Sequence, residues 1–203
     1  MNVYVMTGEP MTLIGTGLPT YQSFQQLKSG LISMGCALQD VKQVIITHMH
    51  DSHAGGLSLL QKEVNVPVFV HERAECDWKN VKYLRDGDCI IAGGRHFKVI
   101  DVPGLGQSDI CLWDQTLGDA FVGDFLLQKV SPHAIISSLE DKEKKLSSLL
   151  KFRESLKKVR DLPFKTIYPS HGNPYIGHIP VIDSMLNEHA YSHHQINEIR
   201  GDE

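Results

Sequence analysis

The chain has 203 residues and a mass of 22.7 kDa, a length that fits one domain and buries roughly 70% of the surface exposed by the unfolded chain. Apolar residues make up 41% and charged residues 22%, which excludes extended disorder and fibrous or collagen-like architectures. The net charge of -4 disfavours nucleic acid as a partner, because nucleic-acid-binding proteins present a basic face. Histidine is unusually frequent, with 11 copies, and it is the commonest metal ligand.

Cysteine usage and the N-terminus indicate a compartment. The four cysteines show no C-x-x-C spacing, so we expect buried free thiols rather than a zinc knuckle or a redox pair; they are Cys36, Cys76, Cys89 and Cys111. The N-terminus lacks a basic segment followed by an apolar one, and no stretch approaches the roughly 18 apolar residues of a membrane span. We therefore expect a soluble, cytoplasmic protein.

The first half of the chain alternates predicted strands and helices. Apolar runs at 3–6 and 11–14 flank Gly8-Glu9-Pro10 and predict a hairpin. Apolar residues that recur every three or four positions from Thr20 to Leu38 predict an amphipathic helix. Buried strands are predicted at 43–47 and 66–70, with a helix at 54–64 between them.

The second half is predicted to be strand-rich and then helical. Strands are expected at Cys89–Ala92, Phe97–Val102, Asp109–Trp113, Ala120–Gly123 and Thr166–Tyr168. Beyond Leu139 a helix is expected with one apolar stripe, formed by Leu146, Leu149, Leu150, Leu156 and Val159, and a last helix begins at about Pro180. The basic bias of 142–165 is typical of a solvated helix face, although a membrane or nucleic-acid patch is the alternative. Strands mixed with helices predict a single layered α/β domain over 1–203.

Three histidines fall within six residues directly after the strand predicted at 43–47. His48 and His50 are two positions apart, so in extended chain both imidazoles point to the same side, and His53 can return to that side in the first helical turn. Ser52 is expected to cap this helix, and Gly55-Gly56 permit a close backbone approach. A lone histidine is more often structural than a ligand, but packing has no need of three polar rings here. The cluster therefore predicts a metal site.

These residues resemble the signature of the metallo-β-lactamase superfamily, T-H-x-H-x-D-H-x-G-G. Thr47, the three histidines and both glycines agree, but Ser52 stands at the aspartate position. Asp51 lies one place early and is a candidate catalytic carboxylate. A shift of one residue in a helical turn swings a side chain by about 100 degrees, so Asp51 is not expected to replace the missing ligand.

The resemblance extends along nearly the whole chain. Gly15 stands at the aspartate of the family's early I-D-T-G strand, and Leu105 stands at the metal-binding histidine of its P-G-H segment. Gly123-Asp124 matches the G-D motif, and Ser170-His171-Gly172 matches the turn with the last histidine. His133, nine residues beyond Asp124, could approach the site. The resemblance thus implies five surviving metal ligands, namely His48, His50, His53, Asp124 and His171.

The resemblance implies a four-layer αββα sandwich with the metal site at one edge of its two sheets. One metal position would keep His48, His50 and Asp124, and the other would keep His53, Asp124 and His171. Three protein ligands and a water suit catalytic zinc, and two histidines with one carboxylate also suit ferrous iron. We expect Zn²⁺ in one or two positions that the lost ligands weaken or leave vacant, ahead of Fe²⁺ or Mn²⁺.

The activity implied by the resemblance is hydrolysis of a small ester-, thioester- or amide-like substrate by a metal-bound water, at an impaired or single-metal site. The alternative is a catalytically inactive pseudoenzyme or binding module that keeps the fold. A third possibility is mononuclear iron oxidation chemistry, although the related iron enzymes use the histidine that Leu105 replaces. The sequence looks most similar to members that carry a C-terminal winged-helix region, which we expect to be absent here.

Overall fold

The computed structural model of the protein describes residues 1–129 and 142–187. Five strands form the first sheet: β1 Tyr4–Met6, β2 Thr12–Ile14, β3 Gln43–Ile45, β4 Val68–His71 and β5 Val81–Leu84. They are ordered β1-β2-β3-β4-β5. β1 and β2 pair antiparallel, as predicted for a hairpin, and the other neighbours run parallel. Parallel strands β3 and β4 therefore end at the same edge of the sheet.

Six strands form the second sheet: β6 Cys89–Ala92, β7 Arg95–Asp101, β8 Ile110–Trp113, β9 Asp119–Gly123, β10 Thr166–Pro169 and β11 Tyr175–Ile176. Their order is β11-β10-β9-β8-β7-β6. β9 and β10 are parallel neighbours, so the residues that follow both strands emerge together. All other pairings in this sheet are antiparallel.

Helices cover the outer faces of both sheets. In chain order they are α1 Tyr21–Ser33, a 3-10 turn at Leu38–Asp40, α2 Asp51–Ala54, α3 Leu57–Glu63, α4 Lys142–Arg160 and α5 over 178–187. α1 and α3 pack on the first sheet, around Phe24 and Leu60. α4 and α5 pack on the second, around Phe152 and Ile182. In the part of the chain that the structure describes, no helix combines the length and the apolar character needed to span a membrane.

The two sheets pack face to face around a third apolar cluster, which contains Ile45 of β3, Phe97 of β7 and Phe121 of β9. Helices, sheet, sheet and helices thus form four layers, and the predicted αββα sandwich is confirmed. Stacked sheets lie about 10 Å apart, so loops from both sheets can meet at a shared edge.

The structure corrects several details of the predicted elements. α1 ends at Ser33 rather than near Leu38, because Gly35 adopts a φ of +74° that cannot continue a helix. The stripe predicted on α4 is narrower than expected, since Leu146 and Leu150 are exposed. The four cysteines are free, but only Cys111 is buried.

Candidate metal centre

Three loops meet at the edge where β3, β9 and β10 end. The loop after β3 carries His48 and His50, the turn after β9 carries Asp124, and the turn after β10 carries His171. Backbone hydrogen bonds fix these loops to one another. The amide of Ser170 donates to Gly123 O at 3.0 Å, and the amide of Ile110 donates across the two sheets to Thr47 O at 2.9 Å.

The carboxylate of Asp124 is the centre of the site. Its Oδ2 lies 2.9 Å from His50 Nδ1 and 3.4 Å from His48 Nε2, and its Oδ1 lies 3.8 Å from His171 Nε2. The ring of His53 completes the cluster, with its centroid 4.1 Å from that of His48 and 5.4 Å from that of His171. All five residues that the sequence predicted as metal ligands are therefore brought together.

These five residues fall into two overlapping groups, each with the dimensions of a metal site. In the first group, potential ligand atoms of His48, His50 and Asp124 lie within 4.8 Å of one another. The second group meets the same limit with His53, Asp124 and His171. These are the two sets that the sequence resemblance implied, and Asp124 belongs to both.

Two buried nitrogen atoms fit a metal ion at this place. Nε2 of His48 and Nε2 of His53 are both buried without a hydrogen-bond partner in the described part of the chain. An unpaired buried polar atom costs about 1–3 kcal/mol, so native proteins seldom keep two of them together. Imidazole nitrogen and carboxylate oxygen are suitable donors for Zn²⁺, and a cation between them would satisfy both rings.

The charges in the site influence one another. Burial alone would raise the pKa of Asp124, but the imidazoles of His48 and His50 beside it hold that pKa well below its usual range. The contact with Asp124 raises the pKa of His50. Burial, together with the neighbouring His48, lowers the pKa of His53 to about 3. His53 is therefore neutral at physiological pH and has a lone pair available for a metal.

Hydroxyl groups hold the rings and the carboxylate in place. Thr47 Oγ1 lies 2.9 Å from Nδ1 of His48, and Ser52 Oγ lies 3.0 Å from Nδ1 of His53. Ser52 was expected to cap α2, but this was wrong, because the helix begins at Asp51 and has His50 as its N-cap. Ser170 donates a hydrogen bond to Oδ1 of Asp124. The only sequence signal for that contact is the position of Ser170 next to His171.

Close approach of the backbone explains two of the glycine positions. A Cβ atom on Gly56 would lie 2.3 Å from Thr16 O, which confirms the predicted close approach after the histidine cluster. Gly123 has a φ of +54°, and a Cβ atom there would lie 2.9 Å from Nδ1 of His48. Glycine at 123 thus leaves room for the His48 ring directly beside Asp124.

The N-terminal segment positions the turn that carries His171. The amide of Asn2 donates to Ser170 O at 2.6 Å, and its side chain donates to Gly172 O at 2.7 Å. The hydroxyl of Tyr4 donates to Pro169 O at 2.6 Å. Because β1 belongs to the first sheet and the turn belongs to the second, these bonds fix His171 relative to the histidines that follow β3.

Three other residues singled out in the sequence lie elsewhere. Leu105, at the position of the family's missing histidine, packs against the core between the second sheet and its helices. It is partly buried there and brings no metal-binding atom to the site. Asp51 is exposed at the start of α2, and its carboxylate forms no hydrogen bond or ion pair with the described histidines. His133 lies outside the described residues.

Comparison with known proteins gives relatives over most of the chain. Probable metallo-hydrolase YqjP of Bacillus subtilis is 25% identical over an alignment of 214 positions that covers 85% of this chain and 67% of that protein. Beta-lactamase-like protein 2 homolog of Caenorhabditis elegans is 28% identical over an alignment of 207 positions that covers 98% of this chain and 63% of that protein. The chain thus spans 63% to 67% of the length of these two relatives.

A solved structure has the same fold. Metallo-beta-lactamase family protein TTHA1429 from Thermus thermophilus superposes with a TM-score of 0.80 at 23% identity, over 94% of this chain and 74% of that one. The sequence pattern of the metallo-beta-lactamase superfamily matches residues 2–171. Sequence, fold and the arrangement of histidines around Asp124 agree, and the chain belongs to the metallo-β-lactamase superfamily.

Proposed function

We propose that the protein is a zinc-dependent hydrolase of small ester-, thioester- or amide-like substrates. The observation that carries the proposal is the convergence of four histidines on Asp124, with the Nε2 atoms of His48 and His53 buried and without a hydrogen-bond partner in the described structure. Relatives that are named metallo-hydrolase and hydroxyacylglutathione hydrolase support hydrolysis as the class of reaction. The zinc and the substrate class are our own inference.

In this proposal the chain holds zinc through two kinds of histidine. His48 and His53 are buried and would coordinate zinc through Nε2, because the hydroxyl groups of Thr47 and Ser52 can each accept a hydrogen bond from Nδ1–H of the adjacent ring. His50 and His171 have side chains that are 44% and 43% exposed, so they line the side from which a substrate enters. Ser170 orients the shared Asp124 carboxylate by donating to Oδ1.

Zinc bound by these residues would lower the pKa of a water molecule and polarise the carbonyl group of the substrate. Ser52 cannot take over the part of a carboxylate at its position, because a serine hydroxyl does not ionise near neutral pH. Its hydroxyl instead contacts Nδ1 of His53. We therefore propose that each ligand group holds zinc more weakly than a complete set of four ligands, and that one zinc ion is bound more tightly than the second.

Metal analysis combined with Asp124→Asn tests the function. Purified wild-type protein should contain zinc, and adding Zn²⁺ at about 100 times Kd to the metal-free protein should stabilise it by about 2.7 kcal/mol, or roughly 5–10 °C in Tm. Asp124→Asn removes the carboxylate shared by both groups and should lower metal content to background and hydrolysis at least about 100-fold. The exposed His96→Asn is the matched control and should behave as wild type.

The competing function is a pseudoenzyme that keeps the fold as a binding module. The replacement of two usual ligands, by Ser52 and by a partly buried Leu105 that packs against the core, favours this alternative. The pseudoenzyme alternative predicts that zinc, iron or manganese does not raise the Tm of wild-type protein. It also predicts that the protein does not hydrolyse ester, thioester or amide probes. That result would remove the hydrolase proposal, whereas activity that appears only with ferrous iron would point to the iron chemistry.

A further inference from the structure

Asp109 is a buried carboxylate for which neither the family signature nor the five candidate ligands provide a role. It lies between β7 and β8, in the loop that contains Leu105, and it is 7% exposed. Its Oδ2 accepts a hydrogen bond from the amide of Gly106 at 2.8 Å. In the described part of the chain, no hydrogen bond or ion pair reaches its Oδ1.

The cations that contact the same region have other partners. Lys151 donates to Gln107 Oε1 at 2.7 Å, and two further cations are paired with carboxylates other than Asp109. Arg73 reaches the loop through a 2.8 Å hydrogen bond to Gln107 O, but its guanidinium pairs with Asp101. Lys158 lies 2.7 Å from Asp86. Burial of a carboxylate without a cation is costly, with an effective penalty of several kcal/mol. Within the described structure, Asp109 therefore lacks a counter-charge.

Asp109 is adjacent to the candidate metal centre. The residue after it, Ile110, donates its amide to Thr47 O at 2.9 Å, directly before His48. Burial raises the pKa of Asp109, and the side chains that act on it through charge are His48, His50 and Asp124. These three are the first ligand group. The loop of Asp109 is thus bonded to the segment that carries His48, whose buried Nε2 has no hydrogen-bond partner in the described structure.

We propose that Asp109 is the compensating carboxylate of the first metal position, where it balances the charge of the cation that His48, His50 and Asp124 hold. The inference rests on the proposed zinc-dependent function. The family signature has a second carboxylate in this centre at the position of Ser52, so its loss leaves Asp124 as the one negative charge among the five candidate ligands. Asp109 restores the second negative charge from a different loop, so that a cation bound to Nε2 of His48 would have two carboxylates, Asp124 and Asp109, to balance its charge.

The test compares Asp109→Asn with Asp114→Asn, two nearly isosteric changes at opposite ends of β8. Asp114 is also buried, but it is paired with Arg95 at 2.7 Å, far along the strand from the metal centre. The dissociation constant for Zn²⁺ is measured by competition with a chromophoric chelator, and Tm is measured on metal-free protein. Asp109→Asn should weaken zinc binding about 10–100-fold without lowering the Tm of the metal-free protein. Asp114→Asn should lower that Tm and leave zinc binding unchanged.

Each other outcome overturns the proposal. If wild-type protein binds zinc and Asp109→Asn binds it equally well, Asp109 has no part in the metal site and the proposed hydrolase function survives. If Asp109→Asn melts at a lower temperature than wild type in the metal-free state, or fails to fold, the carboxylate is structural. If wild-type protein binds no zinc, the proposed function and this inference fail together.

Discussion

His53 makes the metal-free protein sensitive to acid. The imidazole is buried, and burial together with the neighbouring His48 lowers its pKa from 6.5 to about 3. Between these two pH values the unfolded chain binds a proton at this residue and the folded chain does not. The contribution of neutral His53 to the free energy of unfolding is therefore fully present above pH 6.5, and it is lost as the pH falls toward 3.

The size of this effect follows from the two pKa values. With 6.5 in the unfolded chain and about 3 in the folded chain, His53 should destabilise the fold by about 2 kcal/mol between pH 7 and pH 5. Because pH 5 lies well above the pKa of His53 in the folded chain, the loss of about 2 kcal/mol depends mainly on its pKa in the unfolded chain. His50 acts in the opposite direction, since contact with Asp124 raises its pKa and its protonation favours the folded chain.

A comparison with His53→Asn separates the two contributions. Urea denaturation of chelator-treated protein at pH 7, 6 and 5 gives the free energy of unfolding of wild type, of His53→Asn and of the exposed control His96→Asn. Wild type and the control should lose about 2 kcal/mol more than His53→Asn between pH 7 and pH 5. Parallel pH curves for wild type and His53→Asn would refute the assignment of a buried, neutral imidazole.

Two further substitutions test the packing around the site. Gly123→Ala places a Cβ atom 2.9 Å from Nδ1 of His48 at a φ of +54°, so both the zinc affinity and the free energy of unfolding should fall, the latter by about 1–2 kcal/mol. The control Gly87→Ala, at a φ of +87° in open space, should lose stability but keep its zinc affinity. Unchanged zinc affinity in Gly123→Ala would contradict the contact with His48. Asp101→Ala removes the carboxylate oxygen 2.7 Å from Nε2 of the buried His71 and should lower the free energy of unfolding, measured by urea denaturation, by about 2 kcal/mol. A loss no larger than that of the exposed control Asp77→Ala would show that the pair of Asp101 and His71 contributes nothing.

Much of the candidate site could be predicted because its residues are close in sequence or follow strands. His48, His50 and His53 lie within six residues, and their approach to one point needs only an extended segment followed by one helical turn. Asp124 and His171 are common turn residues when considered alone. Their prediction came from the family resemblance, and the parallel pairing of β9 with β10 explains why they meet.

The remainder depends on tertiary packing that a single sequence does not contain. β5 is mostly exposed and lacks the alternation of a half-buried strand, so its place at the end of the first sheet is set by parallel pairing with β4. An apolar residue in a loop can face either a site or a core, and Leu105 turns toward the core behind its sheet. In the sequence, Asp109 looks like an ordinary polar residue at the start of a predicted strand. Only its burial and the amide bond from Ile110 to the loop of His48 reveal its environment.

The site keeps the arrangement of its five candidate ligands although two of the family's usual ligands are lost. Each ligand group pairs one buried histidine, His48 or His53, with one half-exposed histidine, His50 or His171, and the two groups share Asp124. The buried rings are fixed by hydroxyl groups on the protein side, and the half-exposed rings line the side open to solvent. Leucine at position 105 therefore removes a donor without contacting the remaining rings, whereas serine at position 52 removes a donor and itself holds the ring of His53. For the proposed hydrolase, such losses should weaken metal affinity while leaving the approach to the site and the class of reaction the same.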